Sequence, residues 1–589
     1  MKQSYFNLSL LFAAMAALPL SGCVDDNYDL SDIDTTVRVQ VNDLEVPVNL
    51  DAITLSNIFD LDDESVVKEI DGAYSVLVDG DFSSEGVKVA KVDLGRPSIS
   101  PVVVTIGSSS VGDLPSLPVG QVPVAFPLTD ITTDFEFNTS SVDKSILAIN
   151  NVKTDWVINI ALSFDDPSGV IEDMKVSDLR LQLPHGLVTP DYANDNGVIT
   201  IGDRTLVNGR LEESIRVSAI DFSSLDGNEF SFTPDATGAA PGTLSYKGSI
   251  GVKGGLVVAS VSTTVNIPSQ LTMTLDPTPA AIVIDRFSGR LKYAVDGFNV
   301  SSVSLDNLPD VLTQKETNIR IANPQLYLAI NNPLAGYGVD AHSGLTLTAV
   351  RPGGVFDPFP LPAGSEIFVG HDKGIAGPYN ICLSAKPVDK FYPGYEDATR
   401  VDYPGLTDVL SGNGLPERID VSFDNTFIGP SDVADFELGV TLSDIGGKYT
   451  FYAPLSFDAG SQIVYSDEDT GWSDETLDKM TIEALGVTAH VENDLPFDIV
   501  LSGYPLDRDG NQCVDPFTNN PVSLGEVRIS AGKGSDIRLV TDGVVTGVDG
   551  IRYSARAEVT EGNQTLRPST TINLTNIRAI VSGYYEDKL

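Results

Sequence analysis

Gln325-Leu-Tyr-Leu-Ala-Ile-Asn-Asn-Pro333 joins a run of strand-forming residues to two asparagines and a proline. Val157-Ile-Asn-Ile-Ala-Leu-Ser-Phe-Asp-Asp-Pro167 and Val487-Thr-Ala-His-Val-Glu-Asn-Asp-Leu-Pro496 repeat this order of features at a spacing of about 165 residues. Asn and Asp side chains bond to the nearby backbone and Pro fixes φ, so each stretch ends a strand at a sharp turn. The recurrence predicts three diverged copies of one β domain, although Asx-Pro turns also occur in unrelated β proteins.

Short period-two runs dominate the rest of the chain, as in Val37-Arg-Val-Gln-Val41 and Thr571-Ile-Asn-Leu-Thr575. Such alternation is typical of half-buried strands, and the 52 glycines and 35 prolines disfavour long helices. Helical spacing of apolar residues predicts only short helices, over residues 142–149, 305–314 and 475–485. The sequence therefore predicts an all-β protein, with tandem β-sandwich domains in an elongated array and a few short helices.

The predicted domain boundaries follow the repeats and the punctuation between strands. They are a signal peptide over 1–22, an acidic tether over 23–35, an N-terminal β domain over 36–138, and β-sandwich repeats over 139–300, 301–460 and 461–589. The last repeat is short, which predicts that it lacks strands or closes the array.

The turn in the middle copy also carries a family resemblance. Ala329-Ile-Asn-Asn-Pro-Leu-Ala-Gly-Tyr337 resembles the Asn-Pro turn of LEA14-like, or WHy, β-sandwich domains. The resemblance covers the turn and its flanking strands, and the other two copies depart from it with Asp165-Asp166 and Asn493-Asp494. It implies a LEA14-like sandwich, while an Ig-like sandwich remains the alternative.

The N-terminus has the features of an export signal. Lys2 precedes an apolar stretch from Phe6 to Leu20, which is too short to span a bilayer stably. Leu20-Ser-Gly-Cys23 follows and resembles the lipobox of bacterial lipoproteins. This resemblance implies cleavage before Cys23, acylation of Cys23 with fatty acids such as palmitate, and attachment to a membrane. An ordinary signal peptide with a chance cysteine is the alternative.

The residues after Cys23 bear on where the protein is displayed. Val24-Asp25-Asp26 begins an acidic stretch that resembles the export signal of Bacteroidetes lipoproteins. It implies an outer-membrane protein at the cell surface, whereas a tether that faces the periplasm would have a similar composition. The formal net charge of −45 repels nucleic acids and anionic lipid, so we expect no nucleic-acid partner.

No catalytic motif is visible in the sequence, so we assign no catalytic residue and expect a non-enzymatic protein. The four histidines have no metal-ligand spacing, and no Gly-x-Ser-x-Gly elbow is present. A hydrolase with carboxylates at a domain junction stays a second alternative, because such pairs assemble from distant strands. Cys382 and Cys513 either form a disulfide or stay as buried thiols.

Calcium is the one cofactor that the sequence suggests. Asp507, Asp509 and Asn511 alternate around Gly510, and Asp515 lies four positions further. Hard cations bind clustered oxygens in tight loops, although an Asp-Gly hairpin turn explains the same pattern.

A binding surface is predicted from aromatic residues set among Pro and Gly between β segments. These candidate ligand-binding residues are Tyr379, Phe391, Tyr392, Tyr395 and Tyr403. Exposed rings on a stiff loop stack on sugars or anchor a protein, but they also fold back onto their own domain. The leading hypothesis is an adhesin-like or structural surface lipoprotein whose partner is a glycan or another surface protein. The first alternative is a glycan-binding lipoprotein of an outer-membrane nutrient uptake system.

Overall fold

A computed structural model describes most of the chain after residue 35. The described residues are 36–46, 65–105, 116–117, 124–166, 169, 171–235, 239–262, 265–266, 272–374, 377–472 and 477–588. The predicted signal peptide and tether lie outside them.

Strands make up nearly all of the regular structure, which confirms the all-β prediction. The helices of the described residues are α1 (Asp310–Thr313), α2 (Leu406–Val409) and single 3₁₀ turns at Phe222–Ser224, Ala335–Tyr337 and Leu477–Lys479. Among the described residues, no helix has the length and apolar character that crossing a bilayer requires.

Sheet I and sheet II face each other in a first sandwich, where the Phe135 and Trp156 rings are 6.4 Å apart. Sheet I contains β5 (Ser98–Ile99), β8 (Val124–Val142), β10 (Ile171–Gln182), β12 (Asn194–Asp195), β13 (Val198–Thr205), β15 (Phe230–Thr233) and β16 (Gly242–Val261). Sheet II contains β6 (Val102–Thr105), β9 (Ile146–Asp165), β11 (Leu187–Val188), β14 (Arg210–Asp221), β18 (Thr272–Pro279), β20 (Arg286–Ala294), β22 (Val303–Ser304), β25 (Ala341–Arg351), β26 (Val355–Pro360), β27 (Ile367–Val369) and β31 (Arg418–Glu437).

Sheet II continues into a second sandwich, because β20 pairs with β9 on one side and with β31 on the other. Sheet III covers this second half, and Phe82 meets Phe423 across the interior at 4.8 Å. Sheet III contains β2 (Val67–Ile70), β3 (Ala73–Ser83), β21 (Asn299–Val300), β24 (Gln325–Asn331), β28 (Tyr379–Ser384), β29 (Thr399–Asp402) and β32 (Gly446–Pro454).

Sheets IV and V form a third sandwich, with Leu501 and Ile551 of one sheet opposite Val487 and Leu539 of the other. Sheet IV contains β23 (Asn318–Ile319), β30 (Gly412–Asn413), β34 (Gln462–Thr470), β36 (Asp498–Leu506), β37 (Glu526–Ile529) and β40 (Gly550–Glu558). Sheet V contains β1 (Thr36–Val46), β35 (Met480–Asn493), β38 (Lys533–Val540), β39 (Val545–Thr546) and β42 (Ile572–Lys588). Three further pairs are β4 (Val92–Gly95) with β19 (Ile282–Ile284), β7 (Ser116–Leu117) with β17 (Val265–Asn266), and β33 (Ser456–Phe457) with β41 (Gln564–Thr565).

The three Asx turns share one structural role. β9, β24 and β35 each run up to the turn in one sheet, and β10, β25 and β36 each follow it in the facing sheet. Asn332 and Asn493 are both 1% exposed, and each accepts a hydrogen bond from the amide two residues on, Leu334 at 3.0 Å and Leu495 at 3.1 Å. The motif therefore marks the corner at which the chain changes sheets.

The region 36–138 does not form a domain of its own. Its strands β1, β3 and β8 belong to sheets V, III and I, and β8 itself crosses the predicted boundary at residue 138. Each strand completes a sandwich that the later repeats leave open. Sheet V in particular gains β1 as an edge strand beside β42, which supplies a strand to the short last repeat.

Two of the three predicted helices are wrong. Residues 142–149 comprise the end of β8, a turn over 143–145 and the start of β9, and the described part of 475–485 is a 3₁₀ turn followed by the start of β35. Helices this short are marginal in isolation, and pairing with β20 or β42 satisfies the same backbone groups. The prediction over 305–314 is met in part by α1. The elongated arrangement of the domains stays a prediction.

Candidate functional site

The residues of the predicted membrane anchor lie before the described part of the chain. Cys23, Asp25 and Asp26 are outside it, and β1 begins at Thr36, directly after the predicted tether. Their assignments as the lipidation site and the export signal stay predictions.

The predicted aromatic surface is split between the outside and the inside of the second sandwich. Phe391, Tyr392 and Tyr395 lie in the loop between β28 and β29 and pack around the fully buried Tyr327. The Tyr395 ring is 4.9 Å from that of Tyr327, and the Tyr392 amide donates to the Tyr327 hydroxyl at 3.0 Å. Tyr395 is 8% exposed, and burial raises its hydroxyl pKa. This loop therefore folds its rings onto its own domain.

Tyr403 and Tyr379 do not belong to that cluster. Tyr403 is fully buried, and its hydroxyl donates to the Phe359 carbonyl and accepts from the Leu347 amide. Tyr379 is half-buried beneath the Lys373 ammonium, 5.3 Å from its ring centroid. The five residues do not form the single exposed platform that the sequence suggested, since Tyr395 and Tyr403 present almost no surface.

Two of the four proposed calcium ligands, Asp507 and Asp515, accept hydrogen bonds from backbone amides. Asp507 accepts from the Asp509 and Asn511 amides at 2.9 and 2.8 Å, as in a tight hairpin turn. Asp515 accepts from three amides, of which Phe517 is at 2.8 Å, and these bonds lower its pKa. Within the described ranges, no three His, Cys, Asp or Glu side chains cluster as metal ligands. The hairpin alternative thus accounts for the pattern.

The two remaining cysteines are buried free thiols, so the disulfide alternative is wrong. Each histidine lies beside a carboxylate of its own. The pairs are His185 with Glu229, His342 with Glu366, His371 with Asp340, and His490 with Asp536, at Nδ1–oxygen distances of 2.6 to 3.1 Å.

A cleft of about 730 Å³ lies beside the strand that joins the first two sandwiches. We call it the junction cleft. Residues 292–300 form one wall and residues 421–427 of β31 form the other. Its volume is within the range of about 300–1,000 Å³ that is usual for small-molecule sites, which concentrate at domain junctions.

Backbone geometry explains why the junction cleft opens at this place. β20 stays paired with β31 as far as Ala294 opposite Phe427, and the chain then crosses to pair β21 with β3 in the facing sheet. The Val295 amide donates to the Thr426 carbonyl at 2.9 Å, which ties the two walls together at one end. Beyond this bond the walls diverge.

A β-bulge shapes the second wall. β25 and β31 pair His342 with Phe427 and Gly344 with Asp424, so two residues of β31 lie opposite one residue of β25. Asn425 takes the left-handed conformation at this bulge, with φ 49°, and is exposed. Bulges of this kind bend a strand and redirect its side chains.

The walls of the junction cleft combine aromatic and polar side chains, of which Lys292 and Asp296 are charged. Phe298 and Phe423 are half-buried with ring centroids 4.9 Å apart. The Phe427 ring stacks on His342 at 5.0 Å, and the Lys292 ammonium lies 4.8 Å from its centroid. The polar lining is Asp296, Asn299, Ser422, Asn425 and Thr426.

Sequence reasoning missed the junction cleft, although both walls carry a common signal. Asp296-Gly-Phe-Asn299 and Asp424-Asn-Thr-Phe427 each combine Asp and Asn with a nearby phenylalanine. The two segments are more than a hundred residues apart, and the pairing of β20 with β31 brings them together.

Comparisons with known proteins add little to this description. The sequence matches no protein-family model and no curated protein. Among solved structures, the chain is similar to a candidate secreted protein from Parabacteroides distasonis, with 12% identity and a TM-score of 0.32. The similarity covers 49% of this chain and 82% of the other. A TM-score this low does not establish a shared fold.

Proposed function

We propose that the chain is a lipid-anchored protein of the outer-membrane surface that binds a ligand and does not catalyse a reaction. The junction cleft is the observation that carries the binding role, because it is a ligand-sized recess lined by aromatic and polar side chains. An adhesin-like or structural role is compatible with this proposal, since the continuous sheet II joins two sandwiches into a firm scaffold.

The anchor part of the proposal rests on the lipobox resemblance and on the start of β1. Cys23 precedes Thr36 by thirteen positions, and Thr36 is the first residue of β1, an edge strand of sheet V. A short tether that leads directly into a paired strand suits a protein held close to a membrane. The acidic residues Asp25 and Asp26 support display on the outer face.

The chemistry of the junction cleft favours binding over hydrolysis. Asp296 is the single carboxylate among its lining residues. Glycoside hydrolysis uses two carboxylates, one as acid and one as base or nucleophile. The proposal therefore places no acid–base pair in the cleft.

Membrane fractionation tests the anchor. Cys23→Ser should move the protein from the membrane fraction to the soluble fraction and abolish labelling by a fatty acid. Cys382→Ser and Cys513→Ser make the same chemical change at buried thiols and should leave the protein on the membrane. Membrane retention of the Cys23→Ser protein without a lipid label would disprove the anchor.

Whole-cell proteolysis tests surface display. Protease added to intact cells should degrade the wild-type protein, and the double variant Asp25→Ala, Asp26→Ala should be protected. Equal protection of both proteins would place the chain on the periplasmic side.

A further inference from the structure

The junction cleft has a chemical character that narrows its ligand. Three phenyl rings supply apolar surface, and exposed Asp296, Asn299 and Asn425 supply hydrogen-bonding groups. A purely apolar ligand would bury these polar groups without partners, which is costly. The cleft thus suits a molecule that has both a C–H face and many hydroxyl or amide groups.

Charge excludes most ionic ligands from this site. Lys292 is its one cationic lining residue and Asp296 its one anionic lining residue, so the lining is formally neutral. The whole chain carries a net charge of −45, which repels anions such as phosphates and uronic acids. One carboxylate does not hold a divalent cation, because such ions take several oxygen ligands.

The backbone pairing around the junction cleft disfavours a peptide as its ligand. An extended peptide binds by adding a strand to an unpaired sheet edge. Among the described strands, the edge of β31 that faces the junction cleft is unpaired only between its pairing with β22 at Ile419 and its pairing with β20 at Phe427, and the bulge at Asn425 distorts it. A peptide would therefore find only a short, distorted edge to extend.

We infer that the junction cleft binds a neutral saccharide, with the C–H face of a sugar ring against the phenyl rings and its hydroxyls bonded to Asp296, Asn299 and Asn425. This inference rests on the proposed binding role and names the ligand class. Asn and Asp side chains each bond vicinal hydroxyls through two polar atoms. Lys292 is exposed, so its ammonium can turn from the Phe427 ring toward a bound hydroxyl.

Two variants address the site without removing a core residue. Phe427→Ala deletes a half-buried ring that contacts His342 and Lys292. Asn425→Gly removes the amide and keeps the left-handed backbone that the bulge requires. Phe356→Ala is the matched control, because Phe356 is 58% exposed and lies on β26, outside the cleft lining.

Affinity electrophoresis of the purified mature chain provides the test. The gels contain neutral polysaccharides (starch, yeast glucan, xylan, mannan or galactan), acidic alginate, or no polymer. We expect retardation by at least one neutral polymer, with affinity reduced about tenfold in Phe427→Ala and Asn425→Gly and unchanged in Phe356→Ala. Thermal melting confirms that each variant is folded.

Several results would overturn the inference. They are retardation by no neutral polymer, retardation by alginate alone, equal retardation of Phe427→Ala and wild type, or cleft-dependent binding of a peptide library alone. None of them bears on membrane attachment, which the Cys23→Ser fractionation decides separately. The two experiments therefore distinguish a failure of the saccharide inference from a failure of the proposed lipid anchor.

Discussion

Arg38 and Glu586 join the first and last strands of the described chain. Nε of Arg38 donates to Oε1 of Glu586 at 2.8 Å, and the guanidinium lies 3.9 Å from the centroid of the Tyr584 ring. The pair is solvent-exposed and adds little stability by itself. Its importance is positional, since it marks the register in which β1 pairs with β42, from Thr36 opposite Lys588 to Val46 opposite Ala579.

This pairing predicts which part of an anchored protein lies nearest to the membrane. The thirteen residues from Cys23 to Thr36 span at most about 45 Å when extended. Because β1 belongs to sheet V, the C-terminal sandwich should be membrane-proximal, and the first sandwich should lie further out. Fluorophores at Phe517→Cys and Val207→Cys, which replace residues 73% and 70% exposed, report on the third and first sandwiches.

In liposomes that carry a headgroup quencher, the Phe517→Cys label should be quenched more strongly than the Val207→Cys label. The same labels on protein that also carries Cys23→Ser should show no quenching. Stronger quenching at position 207 in the lipidated protein would reverse the predicted orientation.

The two buried corner asparagines should be among the most sensitive polar residues in the chain. Nδ2 of Asn332 donates to the Val339 and Gly370 carbonyls at 2.7 and 3.0 Å, and that of Asn493 donates to Phe497 at 3.0 Å. Alanine at either position leaves these buried carbonyls unpaired, so we expect a loss of about 2–3 kcal/mol in the free energy of unfolding. Urea denaturation measures it.

Asp166 provides the matched comparison for those two variants. It occupies the corresponding corner of the first sandwich, where it is half-buried and accepts from the Ile171 amide at 3.0 Å. Asp166→Ala should cost about 1 kcal/mol or less, because water can reach the groups it leaves. A loss of unfolding free energy in Asp166→Ala as large as that in Asn332→Ala would contradict this explanation of the corner residues.

The local sequence pattern was sufficient to predict the all-β class and the turns that end β9, β24 and β35. In β9, Ile158, Ile160 and Leu162 are buried at alternate positions, as the period-two pattern predicts. The pattern carries no information about which strand pairs with which. The partner of β1 lies more than five hundred residues away, and no local feature of Thr36–Val46 points to β42. The predicted N-terminal domain was wrong for that reason.

The aromatic loop illustrates a second limit, which concerns the direction in which a side chain points. Tyr392 and Tyr395 flank Pro393 and Gly394, a sequence typical of an exposed loop, but both rings pack against Tyr327 on β24. This neighbour becomes apparent only in the folded protein, where Tyr327 lies on the outer face of sheet III. The junction cleft escaped prediction similarly, because its walls come from two segments that only tertiary pairing brings together.

The two buried cysteines should resist alkylation in the folded protein. Burial raises the pKa of each thiol to about 11, so the reactive thiolate is scarce at pH 8. Iodoacetamide should therefore leave the native protein unmodified. In urea it should add two adducts to the mature polypeptide, because the lipidated Cys23 is not available for alkylation. Mass spectrometry counts them. Rapid labelling of Cys382 or Cys513 in the native protein would show that the structure around that thiol opens.

Acid should weaken the loop around Asp515, and calcium should not strengthen it. Amides of Val544, Phe517 and Thr518 bond to the ionised carboxylate and hold its pKa below the unfolded value of about 4. The folded pKa is the lower one, so this stabilisation is present above about pH 4 and is lost as the pH falls through the folded pKa.

Asp515→Ala should accordingly lower the urea midpoint at pH 7, and its difference from wild type should shrink as the pH falls below about 4. Asp509→Ala is the control, because that side chain is exposed in the same loop region. Since the carboxylate is already bonded to three amides, millimolar calcium should leave the wild-type midpoint unchanged. A midpoint that rises with calcium concentration and loses this response in Asp515→Ala would restore the calcium site.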